Sequence, residues 1–373
     1  MGRRGRPKKN TTTPVATETD EEIDIQASSP PSVTAHREEF IFDEETFGGR
    51  LTEVQAERTS FTPTPRDARL FDASLPSAVE FTGKRRLMID NLHFGPHHLR
   101  PWYSAPYPAE YFEGPEPGHL WMCERCLKYM RSRATFLRHL PKCSDRVPPG
   151  CEIYRKDEIS VFEVNGRFSR DYCQRLCLLA KMFLDHKTLY YDVETFLFYI
   201  LVEWHPVREI ILEGRNEARN YSFVGYFSKE KQSPSDYNLS CIMTLPHKQR
   251  RGFGAFLMDF SYLLTRREGK IGSPEKPLSD LGLVGYVKYW SRIVSDVLLE
   301  CEGGVSIQDI IRRTGMSAND VLATLEYLKA IWWDVRKERY VLKLVTKALQ
   351  SVPPITLRAD PECLQWQPYT CLR

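Results

Sequence analysis

The chain has 373 residues, with 52 Lys and Arg against 49 Asp and Glu and a formal net charge of +3. That length accommodates two or three domains, and the near balance of charge excludes a polycation that coats nucleic acid along its whole length. The longest apolar run, Phe196 to Val202, is far short of the ~20 residues of a membrane-spanning helix. The basic start MGRRGRPKKN has no apolar segment behind it to serve as a secretory signal, and Arg6 occupies the place where a myristoylation motif needs Ser or Thr. Ten cysteines form one tight cluster and scattered singles rather than a disulfide framework, which fits a reducing compartment. The expectation is a soluble intracellular protein without membrane contact.

Residues 1–80 mix Thr, Pro, Ser and acidic residues with little periodicity, as in TTTPVATETDEEID and SSPPS, and predict a disordered leader. Within it RRGRPKK resembles an AT-hook. Arg4 and Arg6 flank Gly5 and Pro7, so a flat extended chain could enter a narrow A·T minor groove. The same cluster reads equally as a nuclear-import signal.

From residue 81 the texture becomes aromatic and turn-rich. Cys123, Cys126, His139 and Cys143 then form C-x2-C-x12-H-x3-C, the spacing at which a hairpin and a helix close a tetrahedral zinc site. Met130 and Phe136 stand where a ββα finger over residues 119–144 keeps its two apolar core positions. Four protein ligands leave no open position for a reactive water, so the zinc is expected to be structural. A DNA-reading finger would present Ser132, Thr135 and Arg138, but a single finger covers only ~3 base pairs. Cys151, just beyond, is expected to be a free thiol.

Ser169 can cap a helix whose apolar positions Tyr172, Leu176, Leu179, Phe183 and Leu184 follow the 3.6-residue period. A second helical run is expected around Tyr191 to Trp204. Tyr221 to Phe227 and Tyr237 to Leu245 read as two strands joined by a polar loop, the second alternating Tyr237, Leu239, Cys241, Met243 and Leu245 onto one face. After Pro246 a glycine-containing turn leads into a helix with Phe256, Leu257, Phe260, Leu263 and Leu264 apolar, ended by Gly269. Residues 279–300 predict a further helix behind the proline-braced loop SPEKPLSD. VSIQDIIRRTGMSANDVLATLEYLKAIWW has the spacing of a helix-turn-helix, and RYVLKLV follows as a strand.

Acyl transfer to an amine needs a base, because free lysine is protonated with a pKa near ~10.4, and it needs a cradle for the donor's phosphates. The turn Gln249, Arg250, Arg251, Gly252, Phe253, Gly254 and the helix start at Ala255 supply backbone N–H groups of the cradle kind. Taken alone, a G-x-G before a helix is more often a plain turn.

The longer blocks decide. YNLSCIMTLPHKQRRGFGAFLMDFSYLL and EGKIGSPEKPLSDLGLVGYVKYW resemble the acetyl-CoA-binding region of the MYST acetyltransferases, as do LDHKTLYYDVETFLFY, PPGCEIYR and PWYSAPYP. The resemblance runs from about residue 85 to about 365. It implies an α+β fold: a GNAT-like acetyltransferase core over residues 151–290, an N-terminal part with the zinc finger over 81–150, and a C-terminal helix-turn-helix, winged-helix-like segment over 291–373. It further implies acetyl-CoA as cosubstrate beside structural zinc, core histones and the nucleosome as partners within a multiprotein complex, and a nuclear location.

Residue by residue, Glu275 is similar to the family's general base, held between Pro274 and Pro277. Cys241 corresponds to its active-site cysteine, which either accepts the acyl group or lines the wall while the amine attacks directly; direct attack is the reading adopted. Ile242, Met243 and Thr244 match the pantetheine-contacting strand, Gln249 to Ala255 the pyrophosphate loop, and Ser279 a cofactor-contacting serine that could equally be a helix N-cap. Lys187 resembles the autoacetylated lysine. Lys248 stands in place of the usual aromatic, with altered contacts near the cofactor expected. Lys288 replaces a frequent serine, and that contact is not carried over. The rival reading is a non-catalytic DNA-binding chromatin regulator built on the AT-hook, finger and helix-turn-helix; a dead scaffold is opposed by the presence of both Cys241 and Glu275.

Overall fold

The computed structural model describes residues 89–111, 116–205, 220–301, 305–334, 339–342 and 346–368. The leader, with Arg4, Gly5, Arg6 and Pro7, lies outside the described residues. The described part is a mixed α/β fold.

Four short strands come first: β1 (Asn91–Phe94), β2 (His97–Leu99), β3 (His119–Met122) and β4 (Tyr129–Met130), ordered β2-β1-β3-β4 with β1 and β3 parallel. Helix α1 (Arg133–His139) completes a ββα unit after β3 and β4. Ser132 caps α1, its side chain accepting from the Thr135 N–H, so this serine closes a helix start. Met130 and Phe136 are buried in a small core with the three cysteines of the cluster, as the spacing predicted.

The central sheet is antiparallel and five-stranded: β5 (Cys151–Lys156), β6 (Ile159–Asn165), β7 (Phe196–His205), β8 (Asn220–Glu230) and β10 (Cys241–Thr244), in the order β10-β8-β7-β6-β5. It is covered on both faces. Phe198, Ile200, Val202 and Trp204 of β7 enter one core with α2 (Arg170–Lys181), while Leu197, Tyr199 and Leu201 enter the other with α3 (Phe253–Arg267).

This two-sided burial corrects the expectation of a helix around Tyr191 to Trp204. A strand buried on both faces is apolar at every position, so no period of two appears, and FLFYILVEW offers nothing to separate it from a buried helix. The apolar positions Phe183 and Leu184 also fall beyond the end of α2, which stops at Lys181.

The expected strand Tyr237 to Leu245 is in fact two. β9 (Tyr237–Leu239) pairs in parallel with β11 (Ser273–Pro274), whereas β10 pairs with β8. The change of partner falls at Ser240, whose N–H donates to the Ser228 carbonyl at 2.8 Å. The residue after this break is Cys241.

Helix α3 ends as predicted, with Gly269 in the left-handed region at φ +67°. α4 (Asp280–Glu300) packs Tyr286, Trp290, Val294 and Leu298 into a third core with Met258 and Tyr262 of α3 and with α5 (Ile307–Thr314) and α6 (Ala318–Tyr327). The expected division at residue 290/291 therefore falls inside one helix. Gly315, at φ +74°, makes the turn between α5 and α6. β12 (Ile331–Asp334) takes the IWW read as helix and pairs with β13 (Arg339–Leu342), and α7 (Thr346–Gln350) follows.

From residue 351 the chain runs back across α3 to the far edge of the central sheet. The Ala359 N–H donates to Asp259 at 2.9 Å, Leu364 bridges Tyr154 of β5, and the Trp366 ring N–H donates to Glu163 at 2.7 Å.

Candidate active site and zinc centre

Cys123, Cys126, His139 and Cys143 bring their ligand atoms within 4.8 Å of one another. The Sγ atoms of Cys123 and Cys143 are 3.9 Å apart and Cys126 Sγ lies 3.3 Å from His139 Nε2. Tetrahedral zinc with bonds of about 2.3 Å to sulfur separates sulfurs by about 3.8 Å, so the residues fit the ion. Hydrogen bonding from Cys126 holds the Cys123 thiol down to about 4, toward the deprotonated state a metal ligand needs.

The finger is tied to the core by its own knuckle. The Phe223 N–H donates to Glu124 at 2.7 Å, Tyr221 Oη to the Arg125 carbonyl at 3.4 Å and Arg175 to the Cys126 carbonyl at 3.3 Å. Burial pushes the Glu124 carboxyl up to about 7. These bonds fit a structural ion that shapes a docking surface for β8 and α2.

The second centre is a cavity of about 1380 Å³. That exceeds the roughly 300–1,000 Å³ of pockets for drug-sized ligands, leaving room for a long donor and an acceptor chain together. Eleven of the site residues singled out by sequence line it: Lys187, Cys241, Ile242, Met243, Thr244, Gln249, Arg250, Gly254, Ala255, Glu275 and Ser279. Cys241 is half-buried at the start of β10, and its Sγ lies 3.5 Å from the Nζ of buried Lys187. Glu275 is exposed. Its N–H donates to the Leu239 carbonyl at 2.8 Å, continuing the pairing of β11 with β9, so the carboxylate-bearing loop is fixed beside the break that precedes Cys241.

At the other end of the cavity the glycine turn opens onto α3. Gly252 is the N-cap at φ +88° with no side chain to cap the helix, so the first-turn N–H groups stay available to a ligand. A Cβ at Gly252 would meet Thr356 Oγ1 at 2.6 Å, and at Gly254 it would find only Thr244 Oγ1 at 3.9 Å. The first glycine thus admits the returning C-terminal segment; the second leaves the cavity side open. The donor set fits a pyrophosphate.

Arg251, Gly252 and Phe253 belong to the turn but do not line the cavity. Phe253 is buried in the second core. Arg251 turns to Glu203, which also accepts from Lys248 Nζ at 2.7 Å. That overturns the expectation for Lys248: it is buried in an ion pair on the far side of the turn and is absent from the cavity wall. Ser279 caps α4, accepting from the Gly282 N–H at 3.2 Å, and also lines the cavity, so its two readings coexist. Lys288 lines it as well.

Sequence reasoning passed over three groups. Residues 351–356 roof the cavity, and only the Pro353–Pro354 pair signals an extended segment there. Glu203 and Asp320 are buried carboxylates whose cationic partners lie 45 and 44 residues away, with no local signal.

Residues 147–360 match the MOZ/SAS family and residues 87–143 the MYST family zinc finger domain. The chain belongs to the MYST acetyltransferases, which draw their acetyl group from acetyl-CoA. It is 44% identical over 370 residues to the histone acetyltransferase mst2 of Schizosaccharomyces pombe, covering 93% of this chain and 87% of that protein. It is 48% identical over 299 residues to the mouse histone acetyltransferase KAT6B, and 46% identical over 286 residues to the human histone acetyltransferase KAT6A. Those matches cover 78% and 74% of this chain but only 15% and 13% of the larger proteins.

Proposed function

We propose that this chain transfers acetyl from acetyl-CoA to the ε-amines of lysines in core-histone tails, with Glu275 as general base. One observation carries the reading: a single cavity is lined by the open glycine turn at one place and by Cys241 and Glu275 at another. An ammonium entering beside Glu275 gives up its proton to that carboxylate, directly or through water, and becomes the nucleophile. Cys241 lines the wall beside the acyl carbon; the amine attacks that carbon directly, the thioester C–S bond breaks, and the coenzyme A thiolate leaves and takes up a proton, while the α3 N-terminus with the Gly252–Gly254 turn holds the donor's pyrophosphate.

Lys187 is read as the site of autoacetylation, supported by its 3.5 Å approach to Cys241. The substrate class implies work in the nucleus, on nucleosomes and within a larger assembly, with Arg4, Gly5, Arg6 and Pro7 available for A·T-rich DNA. The C-terminal helices and hairpin are read as winged-helix-like in form. The rival reading as a DNA-binding regulator loses its reading helix, since α6 (ANDVLATLEY) carries no Lys or Arg for phosphates or base edges.

The test is incubation of the purified protein with labelled acetyl-CoA and histones, beside Glu275→Gln. Label should pass to histone lysines and be lost in the variant. Absence of transfer by the folded, zinc-loaded wild type would sink the proposal, and mass spectrometry of the products identifies the lysine.

A further inference from the structure

The helix-turn-helix of the C-terminal segment has a turn that is already occupied. The Gly272 N–H donates to the Gly315 carbonyl at 2.9 Å, and the Ser317 N–H donates back to the Gly272 carbonyl at 3.1 Å. Gly272 and Met316 form a parallel bridge. Four residues on, Lys276 Nζ lies 2.8 Å from Asp320 Oδ1 in the first turn of α6. The segment 272–276 is thus pinned on two sides, to β9 through Ser273, Pro274 and Glu275 and to the α5–α6 turn through Gly272 and Lys276.

The ion pair is lopsided. Asp320 is 2% exposed, whereas the Lys276 side chain is 45% exposed, and Asp320 Oδ2 has no hydrogen-bond partner among the described residues. A carboxylate taken out of water is costly, and apolar residues of similar shape would hold two elements together at least as well. What the charged pair adds is position: the compact carboxylate is fixed by α6, whose own start is capped by Ser317 Oγ accepting from the Asp320 N–H at 3.2 Å. The lysine it holds is the immediate neighbour of Glu275.

We propose that Asp320 is a positioning residue for acetyl transfer: through Lys276 it sets where the Glu275 carboxylate stands, and the α5–α6 turn serves the catalytic loop. The inference rests on Glu275 being the base. Lys276→Met removes the pair from its exposed end, Asp320→Asn from its buried end, and Lys276→Arg keeps the charge. Steady-state kinetics with acetyl-CoA and histone, thermal unfolding and zinc content are measured for all three beside Glu275→Gln. Lys276→Met and Asp320→Asn should each lose roughly ten- to a hundredfold in kcat, the cost of a base misplaced by a fraction of an ångström to an ångström. The acetyl-CoA KM should stay within about twofold, the mark of an interaction that acts in the transition state. Lys276→Arg should recover most of the rate at the wild-type melting temperature.

If Asp320→Asn fails to fold, Lys276→Met decides, because its side chain is half in solvent. Unchanged kcat in Lys276→Met beside an inactive Glu275→Gln overturns the positioning role and leaves the base in place. A raised acetyl-CoA KM with intact kcat overturns it also, as does failure of Lys276→Arg to rescue. Full activity in Glu275→Gln would remove the base assignment itself.

Discussion

Lys187 Nζ lies 3.5 Å from Cys241 Sγ, so a buried ammonium supports a thiol on the cavity wall. Burial pulls this lysine down, but the facing thiols of Cys241 and Cys177 outweigh it and hold Lys187 above the usual lysine value. It is a cation at neutral pH, and acetylation would remove that charge. The other cysteines differ sharply: burial pushes Cys173 and Cys177 up, while Cys151, at the opposite edge of the sheet, is exposed. Alkylation at pH 8 followed by peptide mass spectrometry should label Cys151 first, Cys241 next, and Cys173 and Cys177 only on unfolding, since thiolates in reach of solvent react. Acetyl-CoA should shield Cys241 alone. Labelling of Cys173 ahead of Cys241 in the folded protein contradicts the arrangement.

The clamp behind the glycine turn should be felt in donor binding. Burial raises the Glu203 carboxyl, but hydrogen bonds from Arg251 and Lys248 prevail and hold it below the usual carboxylate range. Glu203→Gln leaves two cations without their counter-charge and frees the residues on either side of Gln249 and Arg250. The expected result is a loss of roughly 1–3 kcal/mol in stability by denaturant melts, because Arg251 is half in solvent and only Lys248 is left buried without its counter-charge. The acetyl-CoA KM should rise about tenfold with kcat little changed, as for lost uniform binding. A fall in kcat alone would argue against this role.

A pH dependence follows from His247. Neither ring nitrogen has a hydrogen-bond partner among the described residues, and its ring stacks on His97 at 4.1 Å between centroids. Burial, then His97, Lys248 and Arg251, lower its pKa to about 4. Below about pH 6.5 the unfolded chain takes up a proton that the folded chain refuses, so this stability is complete above 6.5 and lost as pH falls toward 4. With solvent screening the loss is about 1 kcal/mol. Melting temperatures from pH 7 to pH 4.5 should fall less steeply in His247→Phe; parallel curves would show that His247 contributes nothing.

Zinc should be present at one ion per chain and should be lost with structure. Cys126→Ser, or a strong chelator, removes the link on which the Glu124 and Arg125 contacts with β8 depend. The melting transition should drop by more than 10 °C, since roughly 2–4 °C accompanies each kcal/mol in a domain of this size and a structural site supplies several. Cys151→Ser should leave zinc content and melting unchanged. Loss of zinc from Cys151→Ser would mean that the ligand set is misassigned.

Much of this architecture was legible because its signals are local. The four zinc ligands announce themselves by spacing, α3 to α6 by period and caps, and the glycine turn by two residues that tolerate what others cannot. β7 was misread because burial on both faces erases its alternation. The break at Ser240 was hidden because Tyr237 to Leu245 alternates as one strand would, and only the two different partners, β8 and β11, divide it. The resemblance puts Lys248 near the cofactor, whereas the carboxylate that draws it away lies 45 residues earlier. Ion pairs across such distances leave no pattern in the neighbouring sequence.

The segment that runs back over α3 has a consequence for synthesis. The wall of the cavity at residues 351–356 and the seam from Ala359 to Trp366 against Asp259, Tyr154 and Glu163 are made by some of the last residues described, on strands and a helix translated about 100 to 200 positions earlier. Until these residues are made, a ribosome-bound chain lacks one wall of the cavity and the part of the core on the α3 face of the central sheet that Ala359 and Trp366 fill. A chain cut before residue 351 is expected to lose acetyl transfer along with that wall and packing, which an activity assay beside a melt of the shortened protein would read.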